Sequence, residues 1–318
     1  MNGSVPTRDH GGGIDAAAAY YGGARGDWLD LSTGINPIPY PVGHIAEQAW
    51  MALPDATAMD GLLRAAREFW NVPDAAGIVA APGASALIAR LPGLVAGGEV
   101  CIPGPTYNEH AAAFRAAGWD VGDDPTAPVH VYVHPNNPDG RLAPAAARLP
   151  RSLTVIDESF CDICPDESLI TLTDRPGVVV LKSFGKFWGL AGLRLGFAIG
   201  DPPMMTRLQE MLGPWAVSGP ALGIGTRALQ DWDWAVATRA RLRADAARLD
   251  AMMARTGADP VGGTPLFRLY AVDDAQAWQD RLARVQIWSR VFPYSDTWLR
   301  LGLPGDEVDW ARIAEALE

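Results

Sequence analysis

Short, uninterrupted runs of apolar residues recur through the middle of the chain, with helical patterns between them. The runs predict six strands, near Ile78–Ala81, Val100–Pro103, Val129–Val133, Leu153–Asp157, Val178–Ser183 and Leu195–Gly200. The segments between them fit helices over Asp60–Trp70, Ser85–Val95, Asn108–Ala117 and Met204–Leu212. Strands that are apolar throughout and alternate with helices are typical of a mostly parallel sheet covered on both faces.

The pattern changes in the last third of the chain. Pro220–Arg255 predicts one long helix or two. Beyond it, strands and helices alternate in a compact α+β pattern: strands at Leu266–Val272, Ile287–Phe292 and Trp298–Leu303, and helices at Asp274–Arg284 and Asp306–Leu317. The first 45 residues are rich in glycine and proline. We therefore expect an N-terminal arm over residues 1–45, a large domain over 46–214 and a small domain over 215–318.

Composition narrows the class of protein. Of 318 residues, 48% are hydrophobic, which suffices for a sizeable core, and the net charge of −11 argues against nucleic-acid or anionic-membrane partners. No run approaches the roughly 18 apolar residues of a membrane span, and the N-terminus lacks the apolar stretch of a signal peptide. Three cysteines fit a reducing cytoplasm better than a disulfide framework. Cys161 and Cys164 form a single C-x-x-C pair, whereas a zinc ribbon needs two, so no metal site is predicted.

One lysine, Lys186, lies in the glycine-rich apolar segment SFGKFWGLAGLRLGF, residues 183–197. A lysine at a helix start can simply extend into water. In an apolar pocket, however, a lysine amine becomes a nucleophile that forms Schiff bases with carbonyl compounds. Pyridoxal phosphate, an aldehyde cofactor, would also need an acid at its ring nitrogen, donors for its phosphate and a flat group against its ring.

Residues upstream and downstream of Lys186 could meet these needs. Asp157 ends an apolar strand, where its carboxylate could keep a pyridine nitrogen protonated, although it could also cap a helix. Gly83, Ala84 and Ser85 follow another strand and open a helix, a position that binds anions but that such residues also occupy in ordinary helices. Ser183 and Arg194 could add donors to the same phosphate.

Tyr107 and Asn137 are two further candidates for contact with the cofactor, and each also has a purely structural explanation. Tyr107 could stack on the cofactor ring or be a half-buried aromatic at a helix start. Asn137, in the segment HPNNPDG over residues 134–140, could donate to the ring oxygen. The same segment could be a simple turn, since Asn-Pro and Asp-Gly are turn dipeptides.

The chain resembles the fold-type I pyridoxal-phosphate enzymes in six short segments that occur in the same order. These segments are PGAS, PTY, PNNPDG, DES, SFGK and GLAGLRLGF. The resemblance runs from about residue 8 to the C-terminus. It is most specific to the branch that contains histidinol-phosphate aminotransferases and L-threonine-O-3-phosphate decarboxylases. It implies an α/β fold, with a large domain on a mostly parallel sheet and a smaller α+β C-terminal domain. It also implies a homodimer and an N-terminal arm that packs with the small domain and the active site.

The resemblance implies a role for each matching residue. Lys186 would bind the cofactor aldehyde, Asp157 the pyridine nitrogen and Asn137 the ring hydroxyl, with Tyr107 stacked on the ring. The cofactor phosphate would be bound by Ser85, Ser183, Arg194 and the backbone amides of Gly83 and Ala84. The substrate carboxylate would be bound by Arg300. As a separate hypothesis, we place Asn36 near that carboxylate and assign the substrate phosphate to His10 and the amides of Gly11 and Gly12; the alternative is that His10, in a glycine-rich arm, is simply exposed.

Two positions depart from the family pattern. The family often has a tyrosine three residues after the acid, where this chain has Phe160, so Asn137 would be the main donor to the ring hydroxyl. Many relatives also have a tyrosine that reaches the partner subunit's phosphate site, where this chain has Leu53. That particular contact between subunits is therefore not expected here.

Three segments favour the decarboxylases within this branch: Asp9–Gly12, Leu29–Pro37 and Asp157–Ser168. The resemblance then implies decarboxylation of L-threonine O-3-phosphate to (R)-1-amino-2-propanol O-2-phosphate, the linker of the cobalamin nucleotide loop. One alternative is an aminotransferase that acts on histidinol phosphate or another phosphorylated or aromatic amine. Another is a non-catalytic cofactor-binding module, which the presence of Lys186, Asp157, Asn137 and Arg194 argues against.

Overall fold

A computed structural model describes residues 9–318 and divides them into two compact units. The larger unit is Ile38–Leu242. The smaller unit combines the residues up to Pro37 with Arg243–Glu318. The expected boundary at 214/215 falls inside the larger unit, because the helix at Gly219–Gln230 packs on the helix at Ala56–Phe69. The expected arm of 45 residues is likewise divided, and its part before Ile38 belongs to the smaller unit.

The elements of the described residues follow in chain order. The strands are β1 (Leu29–Asp30), β2 (Gly77–Ala81), β3 (Glu99–Cys101), β4 (Asp120–Gly122), β5 (Val129–Val133), β6 (Leu153–Asp157), β7 (Val178–Ser183), β8 (Gly196–Gly200), β9 (Asp259–Thr264), β10 (Phe267–Ala271), β11 (Ile287–Trp288), β12 (Arg290–Phe292) and β13 (Ser295–Gly302). The helices are α1 (Ile14–Tyr21), α2 (Gln48–Met51), α3 (Ala56–Phe69), α4 (Ala84–Ile88), α5 (Asn108–Ala116), α6 (Pro202–Leu212), α7 (Gly219–Gln230), α8 (Trp232–Ala254), α9 (Ala275–Arg284) and α10 (Glu307–Ala316).

The larger unit is built on a seven-stranded sheet in the order β2-β8-β7-β6-β5-β3-β4. All neighbours run parallel except β8, which is antiparallel to both β2 and β7. The predicted mostly parallel sheet is therefore confirmed. This topology brings the carboxyl ends of β2, β5, β6 and β7 and the start of β8 to one edge, which is where ligands bind in such sheets.

Burial explains the strength of this sheet. Val131 on β5, Val155 on β6 and Val179 on β7 are at most 2% exposed and share one core with Leu87 of α4 and Phe114 of α5. Each fully buried side chain of this size contributes about 1.5–3 kcal/mol to the stability of the fold. The sheet is thus a rigid support for the loops at its edge.

The smaller unit contains a four-stranded antiparallel sheet in the order β12-β13-β10-β9 and a separate parallel pair, β1 with β11. The α+β pattern predicted for the C-terminal region is confirmed, although the predicted strand at 287–292 is divided at Ser289 into β11 and β12. Helix α1 lies where the sequence predicted loop, and Ile14 and Ala17 bury its inner face against Trp28 and Ala283. No helix among the described residues is both long and apolar enough to cross a membrane.

Candidate active site

A cavity lies in the larger unit at the sheet edge where β5, β6 and β7 end. Most of its lining comes from residues that end or follow these strands or precede β8. The lining residues are Ala84, Ser85, Ile88, Tyr107, Val133, Asn137, Asp157, Ser159, Phe160, Ser183, Gly185, Lys186, Ala191 and Arg194. The structure thus brings together eight predicted residues: Ala84, Ser85, Tyr107, Asn137, Asp157, Ser183, Lys186 and Arg194.

Asp157 is the last residue of β6 and only 2% exposed. Its Oδ1 accepts hydrogen bonds from the Ser159 hydroxyl at 2.6 Å and the Ser159 amide at 3.0 Å, and His110 Nε2 donates to its Oδ2 at 2.8 Å. Burial alone would raise the pKa of Asp157, but the hydrogen bonds from His110 and Ser159 outweigh burial and hold its pKa below the ordinary value. The carboxylate is therefore kept ionised at the floor of the cavity.

His110 was not predicted from the sequence. It lies in the first turn of α5, three residues after Tyr107, and is completely buried. Its Nδ1 has no hydrogen-bond partner among the described residues, so its contact with Asp157 is its principal polar interaction there. The signal in the sequence was weak, because only the fold brings α5 to the end of β6. The hydrogen bond from His110 orients the Asp157 carboxylate and helps to lower its pKa.

The chain contains two lysines, and their surroundings differ. Lys182 is 2% exposed within β7, and its Nζ lies 2.6 Å from Glu158 Oε2 and 3.5 Å from Asp162 Oδ1. Lys186 instead lines the cavity, with its Nζ 5.3 Å from the ring centre of Phe160. Of the two amines, only that of Lys186 faces the cavity.

Arg194, which lines the cavity, packs closely against Gly83. Arg194 has φ 53° and ψ 56°, a left-handed conformation that costs a non-glycine residue free energy and is often found at functional sites. Gly83, at φ 86°, leaves room for its guanidinium, since a Cβ at residue 83 would collide with Arg194 Nη2. The Gly83 amide itself donates to Ala81 O at 2.7 Å, and the Ser183 hydroxyl accepts from the Gly185 amide at 3.2 Å.

The predicted substrate-binding residues lie in the smaller unit. Arg300, on β13, is 4% exposed, donates through Nη2 to Ser32 O and lies over the Phe267 ring at 5.1 Å. Burial, with a smaller contribution from Arg290, lowers the pKa of Arg300 to about 10. Asn36 is 2% exposed. The Gly12 amide donates to the Ser32 hydroxyl at 2.6 Å, so Ser32 contacts both Gly12 and Arg300.

Arg290 is a second functional candidate that the sequence did not reveal. It lies directly opposite Arg300 in the pairing of β12 with β13, and each guanidinium lies within 6 Å of the Phe292 ring centre. Arg290 pairs with Asp9 and donates to His10 O at 2.9 Å, whereas the His10 residue is exposed. Like charges directly opposite in a sheet are destabilising, and the Asp9 carboxylate, which accepts from both terminal nitrogens of Arg290, offsets this repulsion.

Proteins of known activity resemble this chain along nearly its whole length. A threonine-phosphate decarboxylase from Pseudomonas aeruginosa is 42% identical, and one from a Sinorhizobium species is 43% identical. Each alignment covers 97% of this chain and 97% of the relative. The crystal structure of histidinol-phosphate aminotransferase from Sinorhizobium meliloti in complex with pyridoxal-5'-phosphate shares the fold, with a TM-score of 0.85 at 20% identity, covering 100% of this chain and 97% of that one.

The cavity residues fit pyridoxal 5'-phosphate. Lys186 offers the amine for the aldehyde, and the hydrogen-bonded Asp157 carboxylate suits a protonated ring nitrogen. The space that Gly83 leaves beside Arg194, with Ser85 and Ser183 also in the lining, suits a phosphate. Tyr107 and Asn137, predicted from the sequence to contact the ring face and the ring oxygen, also line the cavity. Phe160 presents no hydroxyl, as expected from the sequence.

The family model described as aminotransferase class I and II matches residues 124–317, more than half of the chain. The matched region contains Asn137, Asp157, Lys186, Arg194 and Arg300. The two decarboxylase relatives extend the similarity to the N-terminal segments outside that match. This chain therefore belongs to the aminotransferase class I and II family.

Proposed function

We propose that this protein is a pyridoxal-phosphate-dependent decarboxylase that converts L-threonine O-3-phosphate to (R)-1-aminopropan-2-yl phosphate and CO2. The observation that carries the proposal is the 42–43% identity to two threonine-phosphate decarboxylases across 97% of the chain. The cavity supports it, because the residues that such chemistry needs line one space at the edge of the sheet.

The residues of the larger unit would bind the cofactor and set the charge of its ring nitrogen. When bound, pyridoxal phosphate withdraws electrons from the bond that breaks at the substrate's α-carbon. Asp157, ionised and hydrogen-bonded by His110 and Ser159, keeps the ring nitrogen protonated. Lys186 would hold the cofactor aldehyde, and its amine would be the group that supplies a proton to the α-carbon of the substrate. Arg194, Ser85 and Ser183 hold the phosphate and thereby fix the ring.

The residues of the smaller unit select the substrate. We assign the substrate α-carboxylate to Arg300, whose buried guanidinium gains from an anion because burial disfavours its charge. Arg290 supplies a second cation directly opposite, and His10 lies next to Asp9, the partner of Arg290. A substrate with a carboxylate and a phosphate would match the two guanidiniums if its phosphate replaced Asp9 as the partner of Arg290. The Gly12 amide donates to Ser32 and Arg290 is paired with Asp9, so we assign the substrate phosphate to His10, with Arg290 joining only where the phosphate replaces Asp9 as its partner.

We also propose a metabolic role, a cellular location and an oligomeric state for the enzyme. The product would supply the aminopropanol linker of the cobalamin nucleotide loop, and the enzyme would act in the cytoplasm as a homodimer. The three cysteines, an odd number that argues against a disulfide framework, support a reducing cytoplasmic setting. The exposed Trp50, Met51 and Leu53 of the larger unit support a subunit interface.

The test is to mix cofactor-loaded protein with L-threonine O-3-phosphate in the absence of any keto acid and to follow CO2 release. We expect steady release over many turnovers, with one aminopropan-2-yl phosphate per CO2, and release about 10³-fold slower with Lys186→Ala. The result that overturns the proposal is no CO2 together with conversion of the cofactor to its pyridoxamine form by histidinol phosphate. That outcome would make the protein an aminotransferase with the same cofactor site.

A further inference from the structure

Two cysteines form a tight turn behind the cavity. Cys161–Ile163 is a 3₁₀ turn in which the Cys164 amide donates to Cys161 O at 2.9 Å. Such an i to i+3 turn brings the two Cα atoms within about 7 Å, which overlaps the separation of about 4.4–6.8 Å found in disulfides. The Cys161 thiol donates to the backbone carbonyl oxygen of Cys164, with Sγ 3.6 Å from that oxygen, so the side chain of Cys161 turns toward Cys164.

The two thiols have opposite environments. Cys161 is completely buried, whereas Cys164 is partly exposed. The hydrogen bond to Cys164, together with burial, raises the pKa of Cys161. The interaction with the Cys161 side chain lowers the pKa of Cys164, and it outweighs burial and the negative charge of Glu158, with a smaller contribution in the same direction from Lys182. A more acidic outer thiol beside a protonated inner thiol is the arrangement that favours exchange with disulfides.

The neighbours of Cys161 do not suit a metal ion. Ligand atoms of His134 and Glu158 lie within 4.8 Å of its sulfur. However, the Ala143 amide donates to His134 Nδ1 at 2.9 Å and His134 Nε2 donates to Glu167 O at 2.7 Å, so both ring nitrogens are engaged. The Lys182 ammonium at Glu158 already balances the local charge and would repel a cation. The cluster therefore favours thiol chemistry.

We propose that Cys161 and Cys164 form a thiol–disulfide exchange pair that reacts with small-molecule disulfides such as oxidised glutathione. The Cys164 thiolate attacks one sulfur of the small disulfide, forms a mixed disulfide and releases one thiolate, which takes up a proton. Cys161 then loses its proton to solvent, attacks the sulfur of Cys164 and releases the second thiol. The pair loses two electrons, and the small disulfide is reduced to two thiols.

The pair is connected to the cavity through its immediate neighbours. Asp162, between the two cysteines, accepts indole hydrogen bonds from Trp70 at 2.8 Å and from Trp188 at 3.0 Å. Phe160, which precedes Cys161, lines the cavity and lies against the Lys186 amine. Closing the disulfide therefore changes the surroundings of two tryptophans, which gives a readout independent of the reaction catalysed.

The experiment uses full-length, cofactor-loaded protein equilibrated in glutathione buffers of increasing oxidised fraction, then quenched, denatured and alkylated. We expect three alkylated cysteines in the reduced protein and only Cys101 in the oxidised protein, with an internal disulfide in the peptide that contains residues 161–164. Tryptophan emission should change over the same range. Cys101→Ser is the matched control and should form the disulfide like the wild type.

Two single variants separate the roles of the cysteines. Cys161→Ser should accumulate a stable glutathione adduct at Cys164, because the resolving thiol is gone. Cys164→Ser should stay unmodified, since Cys161 is buried. The proposal is overturned if all three cysteines remain alkylatable in the most oxidising buffer, or if Cys164→Ser forms an adduct as readily as Cys161→Ser. Circular dichroism of each variant verifies that it is folded.

Discussion

At the scale of single residues, the two lysines of the chain allow a clean assignment of the cofactor attachment point. Lys182 is held in a buried ion pair with Glu158, whereas Lys186 lines the cavity. Borohydride reduction of the cofactor-loaded protein should fix the cofactor on Lys186 alone. Lys186→Ala should lose the visible absorbance of the bound cofactor and about 10³-fold of the activity, within the range for a lost proton-transfer group. Mass spectrometry of the reduced protein gives the site, and a label on Lys182 would contradict the assignment.

The ionisation of Asp157 leads to a second residue-scale prediction, on pH. Its pKa is depressed in the folded protein, so its carboxylate stabilises the fold above the ordinary aspartate pKa of about 3.9, and this contribution is lost as the pH falls through the folded value. Removing a hydrogen bond to the carboxylate raises the folded pKa. His110→Phe and Ser159→Ala should therefore each shift the acid unfolding midpoint to higher pH.

The same two variants should also weaken cofactor binding. A hydrogen bond to a charged group is worth about 1.5–3 kcal/mol, so we expect roughly a 10- to 100-fold rise in the dissociation constant of the cofactor. Acid titration followed by circular dichroism and cofactor titration followed by absorbance measure the two effects. The exposed His44→Asn is the control. An unchanged acid midpoint in both variants would mean that these contacts do not set the charge of Asp157.

At the scale of elements, the strands that are buried on both faces were the ones that the sequence predicted accurately. Strands β5, β6 and β7 were predicted to the residue because each is apolar almost throughout and buried on both faces. Strands β4 and β9 were missed, since Asp120–Gly122 and Asp259–Thr264 are polar or glycine-rich segments at sheet edges. The cavity residues could be predicted because they follow or precede strands, whereas His110 and Arg290 act through contacts that only the three-dimensional pairing creates.

The pairing of β12 with β13 gives a prediction at this scale. Arg290 and Arg300 lie directly opposite, and burial disfavours the charge of Arg300, so a bound anion should stabilise the smaller unit. Inorganic phosphate at about 100 times its dissociation constant should raise the free energy of unfolding by about 2.7 kcal/mol. Thermal melts of cofactor-loaded protein, whose own phosphate site is filled, measure this effect.

The matched variants use arginines of the same unit. Arg290→Gln and Arg300→Gln should each reduce the stabilisation by phosphate. Arg248→Gln is the control, because Arg248 pairs with Glu307 at the surface instead. A phosphate-induced rise in melting temperature that is equal in all three variants would show that the arginine pair is not an anion site.

At the scale of the whole molecule, the proposed homodimer makes the last prediction. Trp50, Met51 and Leu53 are 68%, 68% and 67% exposed, and three large apolar side chains within four positions are costly to leave in water. Each side chain would contribute about 1.5–3 kcal/mol to association if it were buried, and a two-fold interface buries one copy from each subunit. Trp50→Glu should therefore weaken the dimer by about 10²-fold or more, measured by analytical ultracentrifugation across a concentration series. Tyr20→Glu is the control, since Tyr20 is 82% exposed but lies in the smaller unit. A wild-type monomer at micromolar concentration, or a Trp50→Glu dimer as tight as the wild type, would place the interface elsewhere or remove it.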